Sequence, residues 1–172
     1  MPRELAQRSP VDLIIDASSI INLYNGEALD IVTQLSDRRL CLSPLVIGEC
    51  GPSCAAELLR LEKSGSLRFD PQTISAELFL QMLEDFDLGE GETECLALSV
   101  TEAYVFCCDD GRARNIGKAK LGADRVVGSL RLLRWSVEDA LINADRAFAI
   151  YQKMKGAGGF LPDMTRDWFA GA

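Results

Sequence analysis

Histidine is absent from this chain. Without an imidazole there is no general base for a Ser-His-Asp or Cys-His nucleophile, and no zinc site that needs a histidine ligand. The G-x-x-x-x-G-K-[ST] loop is missing as well, which excludes a P-loop nucleotidase. GEGE lacks the glycine spacing of a dinucleotide loop and follows a helix-like stretch rather than a strand. No apolar run reaches the roughly 18 residues that a membrane helix needs. The opening MPRELAQRSP carries charges of both signs and no apolar centre, so no secretory signal is expected and cytoplasmic residence is the default. Cations are outnumbered 18 to 26, for a net charge of −8. That balance speaks against a protein held on nucleic acid by bulk attraction, since phosphate binding rests on counterion release by Lys and Arg.

What is present is ordinary for a soluble globular protein: 172 residues, 48% hydrophobic and 26% charged. That is enough for a real core in one domain and too little for a second. The six cysteines, Cys41, Cys50, Cys54, Cys95, Cys107 and Cys108, fall mostly in apolar segments, and a chain of this length needs no disulfide staples. They are expected to be reduced and buried. Cys50 and Cys54 stand at i, i+4 but lack a second ligand pair, so packing rather than zinc is their expected role. Charge is uneven along the chain. From Arg112 to Arg134 there are Arg112, Arg114, Lys118, Lys120, Arg125, Arg131 and Arg134 against the single acid Asp124. Such a segment is either a local phosphate-seating patch or a solvated helix face.

Val11 to Asp16 reads as a buried strand, with Ser18 and Ser19 starting a helix ahead of IINLYNG that Gly26 breaks. EALDIVTQL has helical spacing. Arg39 to Ser43 is a second strand, and Pro44 opens a helix that must bend or restart at Gly51-Pro52, because Pro52 has no N–H to donate. Leu67 to Asp70 is a third strand, stopped by Pro71. A helix is expected from Thr73 through ISAELFLQMLEDF, then DLGEGE as a loop, then a helix over ETECLALSVTEA. Tyr104 to Cys108 is a continuous apolar run, as in a strand buried on both faces. Arg112 to Leu121 is helical with Gly122 as its cap, and Arg125 to Val127 is a short last strand. Strands alternating with helices predict an α/β fold with a parallel sheet and right-handed crossovers. The single domain then has its core over residues 11–135, with the helical segment Val137 to Lys155 and the tail FLPDMTRDWF forming a C-terminal appendage over 136–172.

Four carboxylates sit where such a fold gathers its ligands. Asp16 closes VDLIID, Glu49 ends LSPLVIGE, Glu92 lies in GEGETE and Asp110 closes AYVFCCDD. Open α/β sheets bind ligands outside the carboxyl ends of their strands. Oxygen ligands suit hard divalent cations such as Mg2+ and Mn2+. A cation so held can orient a water, lower its pKa and stabilise charge building on a phosphodiester, which needs no histidine. Taken singly, each acid is equally suited to capping a helix or pairing at the surface.

In this order and at these separations, IIDASSIINL, SPLVIGE, GEGETECLALS and CCDDGRAR resemble the PIN-domain ribonucleases, especially the VapC-like branch. The resemblance runs from Leu13 to the GFLPD tail. It implies a three-layer α/β/α sandwich around a central parallel sheet and Mg2+- or Mn2+-dependent cleavage of RNA. It also implies a toxin paired with a small antitoxin protein, and a homodimer, for which the apolar helix IINLY is a candidate face. Asp16, Glu49, Glu92 and Asp110 match the family's four acids and Ser18 the small polar residue after the first. Glu94 competes with Glu92 as a metal ligand. Asp109 is a neighbouring ligand or the cap of the following helix. Arg112 and Arg114, directly after the fourth acid, could clamp a phosphate or pair with the acids. Where many relatives carry a hydroxyl near the fourth acid, this chain has Cys108, a poorer hydrogen-bond donor. Two other readings stay open: a non-catalytic PIN-like module that binds RNA or protein, and a phosphatase or phosphoacceptor using Asp16 as nucleophile. The last would want a lysine late in the sheet and a second acid near Asp16.

Overall fold

The structure, a computed structural model, describes residues 9–70 and 73–171. Most of MPRELAQRSP and the strand stop expected at Pro71 lie outside the described residues. Five strands, β1 (Val11–Ile15), β2 (Arg38–Leu42), β3 (Arg68–Phe69), β4 (Val105–Cys107) and β5 (Val126–Val127), form one parallel sheet in the order β3-β2-β1-β4-β5. In the central strand Leu13 aligns with Leu40 on one side and Val105 on the other, and Ile14 with Cys41 and Phe106. Leu13, Ile14, Ile15, Phe106 and Cys107 are fully buried, as expected of strands covered on both faces. The chain leaves β1 toward β2 and later returns to place β4 on the opposite side of β1. This makes β1/β4 the switch point of the sheet, where a crevice opens at the strands' carboxyl ends. The Asp16 N–H donates to the Cys107 carbonyl at 2.8 Å and ties those two ends together.

The helices are α1 (Ala17–Asn25), α2 (Leu29–Val32), α3 (Pro44–Glu49), α4 (Pro52–Lys63), α5 (Ala76–Phe86), α6 (Glu90–Thr101), α7 (Gly111–Leu121), α8 (Ser129–Glu138), α9 (Ala144–Gly156) and α10 (Arg166–Ala170). They complete a three-layer α/β/α sandwich. One group joins α1, α2, α8, α9 and α10, and the other joins α3, α5, α6 and α7. Helix α6 is buried nearly all round, with Cys95, Leu96, Ala97, Leu98 and Ser99 all inaccessible, and it packs on both β1 and β4. A helix apolar on every side belongs in a core rather than at a surface. All six cysteines are buried thiols.

Several elements differ from the sequence reading. Helix α5 starts at Ala76 rather than Thr73, because the Ser75 hydroxyl accepts the Leu78 N–H at 3.2 Å and fixes the first turn there. GEGE is not a loop but the cap and first turn of α6. EALDIVTQL forms only the single turn of α2, and Arg125 closes a 3-10 turn ahead of β5. The segment expected as one helix from Val137 is two. Helix α8 ends at Glu138, the chain turns through Ala140 at φ 57°, and Asn143 caps α9 by accepting the Arg146 N–H at 2.8 Å. The C-terminal segment contributes Ala147, Ile150, Met154 and Phe169 to the buried core. Helix α9 meets α1 so closely at Gly26 that a Cβ there would lie 2.8 Å from Met154 Cγ. The helix IINLY is therefore no free face: Ile20 and Leu23 are fully buried, and α1 is packed on α3, α8 and α9. No helix among the described residues is long and apolar enough to cross a membrane.

Candidate metal centre

Each of the four acids is placed by a helix that starts at the crevice. Asp16, one residue past β1, is the N-cap of α1: its Oδ2 accepts the Ser18 N–H at 3.0 Å and the Ser18 hydroxyl at 2.6 Å. Asp110, just past β4, is the N-cap of α7 and accepts the Ala113 N–H at 2.8 Å through Oδ1. Glu92 reaches back within the first turn of α6 to accept the Gly89 N–H at 3.1 Å. Glu49, at the end of α3, lays Oε1 on the same helix start, 2.9 Å from the Gly91 N–H. Helix N-termini carry unpaired N–H groups and partial positive charge, so each carboxylate is held without a cation. Gly91 makes the Glu49 contact possible, since a Cβ there would fall 2.6 Å from Glu49 Oε2.

Each acid commits one oxygen to a helix and keeps the other. Asp16 lies on the floor, 1% exposed, and its Oδ1 is buried with no hydrogen-bond partner. Glu92 is half-buried above it, while Glu49 and Asp110 stand exposed at the rim. Among the described residues no Lys or Arg lies within ion-pair distance of any of the four. Burial raises the Glu92 pKa above its ordinary value against the lowering pull of the Gly89 N–H, and the charges of Asp16, Asp110 and Glu49 raise it further.

Ligand atoms of Asp16, Glu92 and Cys108 all lie within 4.8 Å of one another. Burial, and then the Asp16 charge, push the Cys108 thiol well up, so it keeps its proton and donates to Asp16 Oδ2 at 3.4 Å. The contact expected to be weak with a thiol is thus present. A buried aspartate with one unpartnered oxygen, close to a second carboxylate and with no cation paired to either among the described residues, fits a hard divalent cation held through oxygen. Asp16 and Glu92 would hold it, with Glu49 and Asp110 reaching in from the rim.

The remaining candidates fall elsewhere. Glu94 Oε2 accepts the Leu45 N–H at 3.0 Å and so secures the start of α3 instead. Asp109 is neither a helix cap nor free for a ligand. It accepts from Asn22 Nδ2 at 2.7 Å, the Ser129 N–H at 2.8 Å and the Ser129 hydroxyl at 2.5 Å, which fastens the end of β4 to α1 and to the start of α8. The capping duty expected of it belongs to Asp110. Ser18 Oγ is committed too, donating to Asp16 and accepting the Asp109 N–H at 3.0 Å, so it positions the floor carboxylate rather than meeting a substrate. Arg112 points away, to Asp87 at 3.0 Å and the Phe86 carbonyl, and Arg114 donates to the Cys108 carbonyl at 3.2 Å. Sequence reasoning missed Asn22, Gly91 and Ser129. The one available signal was Asn22, a lone amide inside the apolar run IINLY.

A family model described as a PIN domain matches residues 12–167. Among solved structures the chain is similar to the crystal structure of PAE2754 from Pyrobaculum aerophilum, with a TM-score of 0.53 and 16% identity over 80% of this chain and 99% of that one. At that identity the likeness shows the fold alone. No curated protein matches the sequence. The switch-point crevice, its four helix-held carboxylates and a family match that takes in all four of them lead to one assignment: the chain belongs to the PIN-domain family.

Proposed function

We propose that the protein is a Mg2+- or Mn2+-dependent endoribonuclease, the VapC-like toxin of a toxin–antitoxin pair acting in the cytoplasm, with Asp16, Glu49, Glu92 and Asp110 as its working carboxylates. PIN domains are generally nucleases, and one observation in this chain carries the reading furthest. Asp16 Oδ1 is a buried carboxylate oxygen with no partner, on a residue close to Glu92, and none of the four acids has an ion-pair partner among the described residues. Leaving such a group unmatched is costly unless a ligand meets it. A divalent cation bound there supplies an activated water and neutralises charge building on the phosphodiester.

The chain's own residues supply orientation. Ser18 and the Cys108 thiol hold Asp16 Oδ2 and leave Oδ1 free, and the α6 N-terminus holds both Glu49 and Glu92. The antitoxin would be a small protein that covers this crevice with a basic or aromatic residue reaching the acids. Homodimerisation would use a face other than the buried Ile20 and Leu23 of α1.

A second reading is favoured by the capping each acid performs: a non-catalytic module could keep all four for helix starts alone. A phosphoacceptor has less support, since no lysine among the described residues pairs with Asp16. The deciding experiment is cleavage of a pooled random RNA by purified protein with Mg2+, with Mn2+ and with chelator, beside Asp16→Asn and Asp110→Asn. Metal-dependent cuts lost in both variants are expected. Absence of cutting by folded protein freed of any co-purifying partner overturns the nuclease reading and leaves the binding module.

A further inference from the structure

The cations of the basic segment do not act as one patch. Arg112 pairs with Asp87, Arg134 pairs with Glu138, and Arg125 donates to the carbonyls of Ser99, Glu102 and Tyr104. Lys118 and Lys120 are exposed on the last turn of α7, Lys120 over the Phe86 ring, whereas Arg114 and Arg131 both line a groove of about 740 Å3 between α7, β5, α8 and the chain at 160–168. In a protein with 26 acids to 18 bases, neither has an acid within ion-pair distance among the described residues. The same holds for Arg38, whose guanidinium stacks 3.8 Å from the ring centre of Trp135 in the groove wall. Of the two acids in the wall, Asp109 is consumed by Asn22 and Ser129, and Asp124 is exposed on the turn preceding β5.

At the rim stands Phe160, 98% exposed. Its loop is held in place: the Tyr151 hydroxyl donates to the Pro162 carbonyl at 2.9 Å and accepts the Met164 N–H at 3.0 Å. An aromatic ring presented to water on a fixed loop, beside guanidinium groups that form no ion pair among the described residues, offers what a single strand of nucleic acid uses. Bases stack on such rings whatever their identity, and the arginine fork accepts phosphate. The groove also meets the carboxylate crevice. Asp109 and Gly111, which flank Asp110, line its wall, and Arg114 hydrogen-bonds the Cys108 carbonyl.

We propose that this groove is the strand-binding subsite of the enzyme: it takes an unpaired segment of RNA next to the scissile phosphate, with a base on Phe160 and backbone phosphates on Arg131 and Arg114. The inference rests on the nuclease reading for its substrate. It explains how a chain of net charge −8 engages a polyanion, through local unpaired cations rather than bulk charge. It also requires a strand whose bases are splayed out, since paired bases present no free face to stack.

The test is fluorescence anisotropy of a labelled unstructured RNA about ten nucleotides long, within the span one such site covers. It is run on the full chain in chelator, so that binding is read without cutting. Phe160→Ala removes no core contact and is expected to weaken binding about fivefold or more, the lower end of what one stacked base contributes. Arg131→Gln is expected to lower the slope of log affinity against log salt by about 0.7, one phosphate's worth. A ribose-phosphate strand without bases should bind wild type and Phe160→Ala alike. Wild-type affinity and salt slope in both variants, or no binding by wild type, overturns the subsite. Metal-dependent cutting that persists beside such a result leaves the nuclease reading standing. A halved mass for Phe160→Ala in light scattering with unchanged RNA affinity also overturns it and gives the groove to a second copy of the chain.

Discussion

The two ends of the central strand handle negative charge in opposite ways. At its start, Asp12 is gripped by the Arg39 fork at 2.7 and 3.0 Å and approached by Arg68 at 3.3 Å. At its finish, four residues on, Asp16 meets only N–H, O–H and S–H donors, with three more acids around it and no cation. The first arrangement is complete for the carboxylate, whose two oxygens are both met by arginine. The second is over-negative and incomplete, with Asp16 Oδ1 left unpartnered. A fold that can build the first arrangement has not built it at the other end of the same strand, and uncompensated, desolvated charge of that kind clusters at functional sites.

The largest effect should come from neutralising the incomplete end. Asp16→Asn keeps an acceptor for the Ser18 N–H, so the helix cap survives. Cleavage is expected to fall by more than the roughly 100-fold that loss of an outer-sphere partner costs a metal site. In chelator the variant should melt no lower than wild type, because a buried, unpaired charge has gone. Retained cutting would remove Asp16 from the site. Next comes Gly91→Ala, which drives a methyl group against Glu49 without changing any charge. Cleavage should drop about tenfold or more, while stability should hold or rise slightly, because the methyl group meets only the far end of an exposed, flexible side chain and alanine suits a helix better than glycine. Wild-type cleavage would show that the Glu49 hydrogen bond to α6 is dispensable.

A smaller effect sharpens the contrast through pH. The folded Glu92 pKa is raised by burial and by Asp16, Asp110 and Glu49, whereas an unfolded chain releases that proton near 4.5. The folded state therefore binds the proton more tightly. This contribution to stability is complete below pH 4.5 and is lost as pH rises through the elevated value. Urea midpoints in chelator should fall along that rise for wild type, fall less for Glu92→Gln, and recover when Mn2+ is added to wild type. Parallel profiles for the two proteins would mean that the acids do not repel one another.

Much of this contrast was legible beforehand, and the illegible part has physical causes. The apolar runs of β1 and β4 and the acids closing them followed from burial on both faces and from where parallel sheets bind ligands. Glu92 and Glu94 could not be separated by composition, but two residues apart on a helix they cannot face the same way. One meets Asp16 and the other meets Leu45. The roles of Asp109 and Asp110 depend on which way two adjacent carboxylates point, which is settled by Asn22 and Ser129, residues far off in sequence. GEGE looked like a turn because its glycines suggested flexibility, when Gly91 is there for close approach. Helix α8 escaped because its stop, at Ala140 in the left-handed region, lacks the glycine that usually marks one.

The smallest effect belongs to the complete end, and it decides whether the two ends are independent. Asp12→Asn strips the Arg39 fork of its charge while keeping an oxygen for one hydrogen bond. The pair is partly open to solvent, with Arg39 43% and Asp12 22% exposed, so the loss should be about 0.5–1 kcal/mol, shrinking in high salt. RNA cleavage should not change, because Asp12 sits at the far end of β1 from the crevice. A stability loss without an activity loss there, against an activity loss without a stability loss at Asp16, would establish that carboxylates on one strand do separate work according to whether a cation already answers them. If Asp12→Asn slowed cleavage as well, the strand would be transmitting position from one end to the other, and the site could no longer be treated as built by its helix starts alone.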